Sequence, residues 1–302
     1  SLIFLLSTGF IFHLSNGIPQ RFSEKANLIY SSIKVSPERD SCHTDGVDYL
    51  KPENSCVYNA DSKISWAVLG DSHGVELAYE LSVPSNVNKK VNLNKVRHIT
   101  KSGCPPIHSF DSGTPGCTEW LREALGFLEQ NEDIDNVVLV WRHSQHMFGP
   151  LNKSFPNLPD QKPVFLRHET KYDARKIYID EFISLVEVLE KANKNIFIIN
   201  PIPDLPYDIE KYIYGSNIED DYLKGISTEF YYALNKQIIN ATNQLKRYKK
   251  IKIINPSEIF CVDSFCDPFI GGIPIYFDDN HLNLYGARIL SDYLLGEYNV
   301  QK

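Results

Sequence analysis

The sequence predicts an α/β fold: a parallel sheet flanked by helices on both faces. Three observations lead there. Short apolar runs alternate with amphipathic stretches from Ile64 to the last thirty or so positions, the pattern that builds strand–helix–strand units. Several runs, NVVLVW among them, are apolar enough for a buried strand. The chain has 302 residues, 42% hydrophobic and 23% charged, which suffices for one large α/β core.

The elements follow in order. ISWAVLG (64–70) and KVRHIT (95–100) read as the first two strands, and TEWLREALGFLEQN (118–131) as a helix. NVVLVW (136–141) is a third strand. KIYIDEFISLVEVLEKANK (176–194) is helical, with Ile179, Ile183, Val186 and Leu189 on one face. NIFIIN (195–200) is a strand, TEFYYALNKQIINATNQLKRY (228–248) a helix and YKKIKIIN (248–255) the last strand. LYGARILSDYLL (284–295) closes as a helix, with Leu284, Ala287, Leu290 and Leu294 in a stripe.

Ahead of this core, SLIFLLSTGFIFHL (1–14) is apolar. It is shorter than the roughly 20 residues that span a bilayer, and it lacks the basic start and small-residue cleavage site of a signal peptide. Residues 1–18 are expected to be the end of a transmembrane helix, with a buried core segment as the alternative. Residues 19–60 carry Pro19, Pro37 and Pro52 without periodicity and read as a linker or extension packing on the domain at 61–302. Six cysteines fall as Cys42 and Cys56, Cys104 and Cys117, Cys261 and Cys266. About 15 connectivities are open to six cysteines; the clustering favours neighbours. Disulfides imply an oxidising compartment; six reduced thiols are the alternative. The net charge of −7 argues against a nucleic-acid partner.

Chemistry enters at AVLGDSHGVELA, Ala67 to Ala78: a strand, a tight turn, then a helix. In α/β sheets ligands bind at the carboxyl ends of the strands, which is where Ser72 falls. Gly70 permits unusual backbone angles there. A serine hydroxyl needs a histidine base, an orienting carboxylate and oxyanion donors to act as a nucleophile; the Ser72 amide is one candidate donor. The bland reading is a helix cap by Asp71 or Ser72. YFDDNHLNLYGARIL then places Asp278 and His281 just ahead of the final helix. The serine follows the first core strand and the Asp/His loop follows the last.

This arrangement resembles the SGNH (GDSL-like) hydrolase family, closest to the SGNH domains fused behind membrane acyltransferase-3 domains in bacterial O-acetyltransferases of O-antigen and other surface glycans. GDSH (70–73) resembles the first block, whose serine is the nucleophile. DDNHLNLYGA resembles the last, which aligns Asp278 and His281 with the rest of the triad. SGCPPI (102–107) looks like the subfamily's Cys-Pro-Pro segment and puts Gly103 near an oxyanion donor position. VVLVWR resembles the third-block strand, and GIPQRF (17–22) the junction after the last membrane helix. The resemblance runs from residue 1 to about 298. It departs at VVLVWRHSQH, which lacks the Asn of the third block; Arg142 or His143 stands in, or backbone donors suffice. His73 is a further candidate beside the oxyanion or substrate.

The resemblance implies a flavodoxin-like SGNH fold and acyl, most often acetyl, transfer to a sugar hydroxyl through an acyl-serine. An esterase, or a glycan-binding module on the same fold, is the alternative. It also implies a membrane acyltransferase-3 domain in the same chain as partner, and a glycan acceptor. Acetyl-CoA would be the ultimate donor through that membrane domain, with no cofactor held by this one. The location implied is the bacterial inner membrane, with this domain in the periplasm. His98, His108, His143, His146 and His168 lack metal-ligand spacing and read as ordinary loop histidines. The tyrosines between Tyr207 and Tyr232 offer rings for sugar stacking, or simply pack a helix on the sheet.

Overall fold

A computed structural model describes residues 6–7, 9–10, 22–61, 65–84, 94–163, 170–215 and 224–300. Helix α1 (Glu24–Ser31), the short α2 (Arg39–Cys42) and strand β1 (Val57–Tyr58) precede the core. Then come β2 (Ser65–Gly70), α3 (Val75–Ser82), β3 (Lys95–Thr100), α4 (Cys117–Gln130), β4 (Asn136–Val140), α5 (His143–Phe148) and α6 (Lys171–Lys191). The second half holds β5 (Asn195–Ile199), α7 (Ile209–Tyr214), β6 (Ile226–Ser227), α8 (Thr228–Leu245), β7 (Ile251–Ile254) and α9 (Ser257–Phe260). Four two-residue strands, β8 (Cys261–Val262), β9 (Phe265–Cys266), β10 (Phe269–Ile270) and β11 (Ile273–Pro274), lead to α10 (Leu284–Val300).

The main sheet has the order β1-β3-β2-β4-β5-β7. All its pairings are parallel except that of β1 with β3. The strand order reverses beside β2, so the crevice at the carboxyl end of β2 is where such sheets place a ligand. Strands β2, β4 and β5 are buried on both faces, which is why their sequences are predominantly apolar. Trp66 and Val68 of β2 pack with Leu77 and Leu81 of α3 and with Leu290 and Leu294 of α10. Ala67 and Leu69 pack on the other face with Trp120 of α4 and Phe182 and Leu189 of α6.

Three sequence expectations shift in detail. The buried face of α6 carries Tyr178, Phe182, Leu185, Val186 and Leu189, while Ile179 and Ile183 lie at its half-buried edge. Gly70 is needed for space: a Cβ there would stand 1.8 Å from the Val140 carbonyl oxygen, the acceptor for the Asp71 amide at 3.2 Å. His98 is a core residue of β3, bonded to Tyr58 and Thr100. The cysteines pair as neighbours, Cys42–Cys56, Cys104–Cys117 and Cys261–Cys266. Among the described residues no helix is long and apolar enough to cross a membrane. Most of the expected membrane-helix end at 1–18, and His168, lie outside the described residues.

Candidate active site

The site begins with the turn after β2. Asp71 caps the single 3-10 turn Ser72–Gly74 by accepting the His73 amide at 3.0 Å. The cap role falls to Asp71, and the half-buried Ser72 hydroxyl is directed elsewhere. The loop before α10 supplies its partner. Asp278 Oδ1 accepts the Asn280 amide at 2.8 Å and the His281 amide at 2.6 Å. That local turn is what a D-x-x-H spacing allows: the carboxylate folds back on its own backbone. Oδ2 then lies 2.6 Å from His281 Nδ1, and His281 Nε2 lies 2.7 Å from Ser72 Oγ. Asn283 fixes the loop's exit, donating to the Pro274 and Tyr276 carbonyls and accepting the Gly286 amide of α10.

The electrostatics suit a general base. Burial pushes the Asp278 carboxyl up, but the hydrogen bond and charge of His281 and the two amides outweigh it and hold it at about 2. An ionised Asp278 accepts from Nδ1–H, and Nε2 is the ring nitrogen aimed at Ser72. The imidazole also lies parallel to the Phe277 ring, 6° apart with centroids at 5.2 Å.

Gly103 adopts φ +62° in the loop after β3, with nothing within 4 Å of a Cβ built on it. The neighbouring strands β2 and β3 are in register at Gly70 and Thr100, so the Ser72 turn and the Gly103 loop leave the same edge of the sheet. That loop is pinned by the Cys104–Cys117 bridge, by Trp141 Nε1 donating to the Cys104 carbonyl, and by Glu181 accepting the His108 and Ser109 amides.

The other sequence candidates have different places. Arg142 gives its amide to Asp71 Oδ2 at 2.8 Å and its Nε to Asp204 Oδ1 at 2.9 Å. His143 turns away from the site: its Nδ1 meets the Tyr178 hydroxyl at 2.9 Å and its ring packs edge-on to Phe182. His73 is buried; its Nδ1 lies 3.3 Å from Asp71 Oδ1, and its Nε2 has no hydrogen-bond partner. Its ring lies 4.5 Å from that of His281, so it backs the base and does not face a substrate. Burial, and then the charge of His281, push the His73 imidazole down, while Asp71 opposes both. Tyr212 and Tyr231 are buried in the packing between helix and sheet, whereas Tyr232 is exposed. No group of three or more His, Cys, Asp or Glu side chains among the described residues is arranged to hold a metal ion.

The sequence offers Asp71 only as a helix cap and does not point to Asp204. Asp71 is buried and takes the His73 and Arg142 amides, with His146 Nε2 at 3.3 Å. Asp204 takes Arg142 and the Ser144 hydroxyl at 2.7 Å. Asp71 with Arg142 and His146, and Asp204 with Arg142 and Ser144, are far apart in the chain, and no spacing signals these pairings.

Comparisons with known proteins bear on the family and the fold. The pattern of the family described as "SGNH domain (fused to AT3 domains)" matches residues 41–295. Among solved structures, the periplasmic domain of the lipopolysaccharide acetyltransferase of Salmonella ser. Paratyphi A is similar at a TM-score of 0.56 and 19% identity, over 89% of this chain and 99% of that one. The salicylyl-acyltransferase SsfX3 of a tetracycline biosynthetic pathway aligns at 0.44 and 11% identity, over 80% of this chain and 56% of that one. No curated protein sequence matches the chain.

Proposed function

The chain belongs to the family of SGNH domains fused to AT3 domains, and we propose that it transfers an acyl group, most simply acetyl, to a hydroxyl of a bacterial surface glycan. The observation that carries this is the unbroken line Asp278–His281–Ser72, at 2.6 and 2.7 Å. Ser72 Oγ attacks the acyl carbonyl carbon and passes its proton to His281 Nε2. The carbonyl oxygen becomes an oxyanion, for which the Ser72 and Gly103 amides are donors, with Arg142 adding positive potential. Collapse breaks the bond to the leaving group, which takes the proton from His281 and leaves an acyl-serine. An acceptor hydroxyl gives its proton to His281, attacks the ester carbon and carries the acyl group away; Ser72 recovers its proton.

Three disulfides favour an oxidising compartment, in keeping with an extracytoplasmic domain, here read as periplasmic. The fused AT3 domain of the family supports a membrane acyltransferase partner in the same chain, which would carry acetyl groups derived from acetyl-CoA; this domain then needs no cofactor of its own. On this reading residues 1–18 end the last membrane helix and residues 19–60 pack against the catalytic domain. Hydrolysis is the second reading, because the half-buried Ser72 leaves room for water as acceptor. Turnover of p-nitrophenyl acetate with and without added polysaccharide, with O-acetyl groups followed by NMR, separates the two. Transfer gives an acetylated glycan and faster release of p-nitrophenol; hydrolysis gives acetate alone at an unchanged rate. Parent-level activity in both Ser72→Ala and His281→Ala would sink both readings.

A further inference from the structure

Residues 34 to 44 touch the segments that flank the Ser72 turn and the His281 loop, and the Gly103 loop itself. The Lys34 carbonyl accepts the Leu284 amide at 2.8 Å, just beyond the His281 loop. His43 Nδ1 meets Thr100 Oγ1 at 2.8 Å, and the Thr44 carbonyl accepts the amide of Ser102, next to Gly103, at 2.9 Å. Between these contacts stands Arg39. Its Nη1 lies 2.7 Å from both carboxylate oxygens of Glu76, and its guanidinium carbon is 5.0 Å from the centre of the Phe277 ring. Glu76 is buried in the first turn of α3, directly after the Ser72 turn. Phe277 immediately precedes Asp278, and its ring is the one parallel to His281.

Ser72 and His281 are 209 positions apart in the chain, and their 2.7 Å contact requires the helix behind one and the loop behind the other to be held in common. Asp278 fixes His281 through one ring nitrogen; the tilt of the ring needs a face to rest on. Arg39 is bonded to the helix that follows the nucleophile and packed on the ring that flanks the base. A charge-assisted hydrogen bond and a cation–π contact are both directional.

We propose that Arg39 is a positioning residue for acyl transfer, an assignment that rests on the Ser72–His281 reading above: by joining Glu76 to Phe277 it sets the His281 imidazole against Ser72 Oγ. Arg39 contacts no reacting atom in this account. Its removal lowers the rate of the chemical step and leaves binding of a small acylating agent unchanged.

The test is the rate at which the whole chain is phosphonylated by a fluorophosphonate, resolved into the maximal inactivation rate and the half-saturating concentration, beside kcat and KM for p-nitrophenyl acetate. Arg39→Gln alone leaves Glu76 buried and unpaired, a destabilising change. The informative variants are therefore Arg39→Gln with Glu76→Gln, which removes both charges, and Phe277→Leu, which keeps the ion pair and removes the ring. Each should lower the inactivation rate and kcat about tenfold, the scale of a small misalignment, with KM and the half-saturating concentration within about twofold. Phe277→Tyr keeps the ring and should stay near the parent rate. Arg39→Lys, a cation without the planar fork, should fall between. If Phe277→Leu and the double variant both react at the parent rate while Ser72→Ala is unlabelled, Arg39 has no positioning role and acyl transfer stands. If the parent is not labelled, or Ser72→Ala still is, the acyl-transfer reading fails and this inference with it.

Discussion

Two aspartate–histidine arrangements stand side by side at the carboxyl edge of the sheet. In one, Asp278 and His281 are joined at 2.6 Å, with side chains 28% and 17% exposed, and His281 reaches Ser72. In the other, Asp71 faces His73 and His146 at 3.3 Å each, and all three side chains are at least nine-tenths buried. In both, a carboxylate is held below its usual range against the upward push of burial. His281 and two amides do this for Asp278, and His73 and His146 for Asp71. The difference lies in what each carboxylate is free to do. Asp71 accepts the backbone amides of His73 and Arg142 and so ties the nucleophile turn to the end of β4. Asp278 accepts only amides of its own loop and has its second oxygen left to orient an imidazole that solvent and substrate can reach. On the proposed function, near-identical chemistry is architecture in one place and machinery in the other.

Breaking each arrangement should have different consequences. The largest effect is expected from Ser72→Ala or His281→Ala, each lowering kcat/KM for p-nitrophenyl acetate by at least about a hundredfold with little change in Tm. Asp278→Asn should approach the same loss, because it favours the wrong imidazole tautomer. Asp71→Ala should act on stability instead: two buried amides lose their acceptor, at a cost of about 3 kcal/mol, read as a lower urea midpoint. Its activity, measured well below its own Tm, should fall less than that of Asp278→Asn; the reverse order would erase the distinction.

Acid should sharpen the contrast. His98 and His143 are pushed down to about 3, by burial first, with neighbouring histidines adding to it. Between pH 6.5 and 3 the unfolded chain binds protons at these positions and the folded chain does not, so stability falls as pH falls through that window, by roughly 1 kcal/mol per unit for each. His98→Asn should flatten that slope in thermal melts from pH 7 to 4. The contribution of Asp278 runs lower: it is full above about 4 and is lost as pH drops towards 2. The smallest effect is expected for His73→Gln. The His73 Nδ1 lies 3.3 Å from Asp71 Oδ1, and Asp71 keeps the Arg142 amide and His146 without it, so kcat should stay within about threefold. A collapse there would move His73 into the machinery.

Much of this was legible in the sequence. The strands at 65–70, 136–140 and 195–199 are apolar runs because both faces of the sheet are covered, and those at 95–100 and 251–254 carry charged side chains at half-buried positions. Ser72, Asp278 and His281 were legible because each sits in a short local pattern beside a strand end or helix start. What was not legible depends on contacts across the chain. Arg39 meets Glu76, Asp204 meets Arg142, and Asp71 meets His146 through folding alone. The role of Gly70 was misread for the same reason: the obstruction is the Val140 carbonyl of a neighbouring strand, which a local view of backbone angles does not include. The face of α6 was misplaced because Tyr178 and Phe182 outweigh the aliphatic stripe that spacing alone suggests.

The most direct test of the central claim is to treat the intact chain with a fluorophosphonate and map the adduct by peptide mass. One adduct is expected, on Ser72, absent from Ser72→Ala and formed at least about a hundredfold more slowly in His281→Ala, while Asp71→Asn is labelled at a rate nearer the parent's. An adduct on another residue, or equal labelling of the parent and His281→Ala, would contradict it.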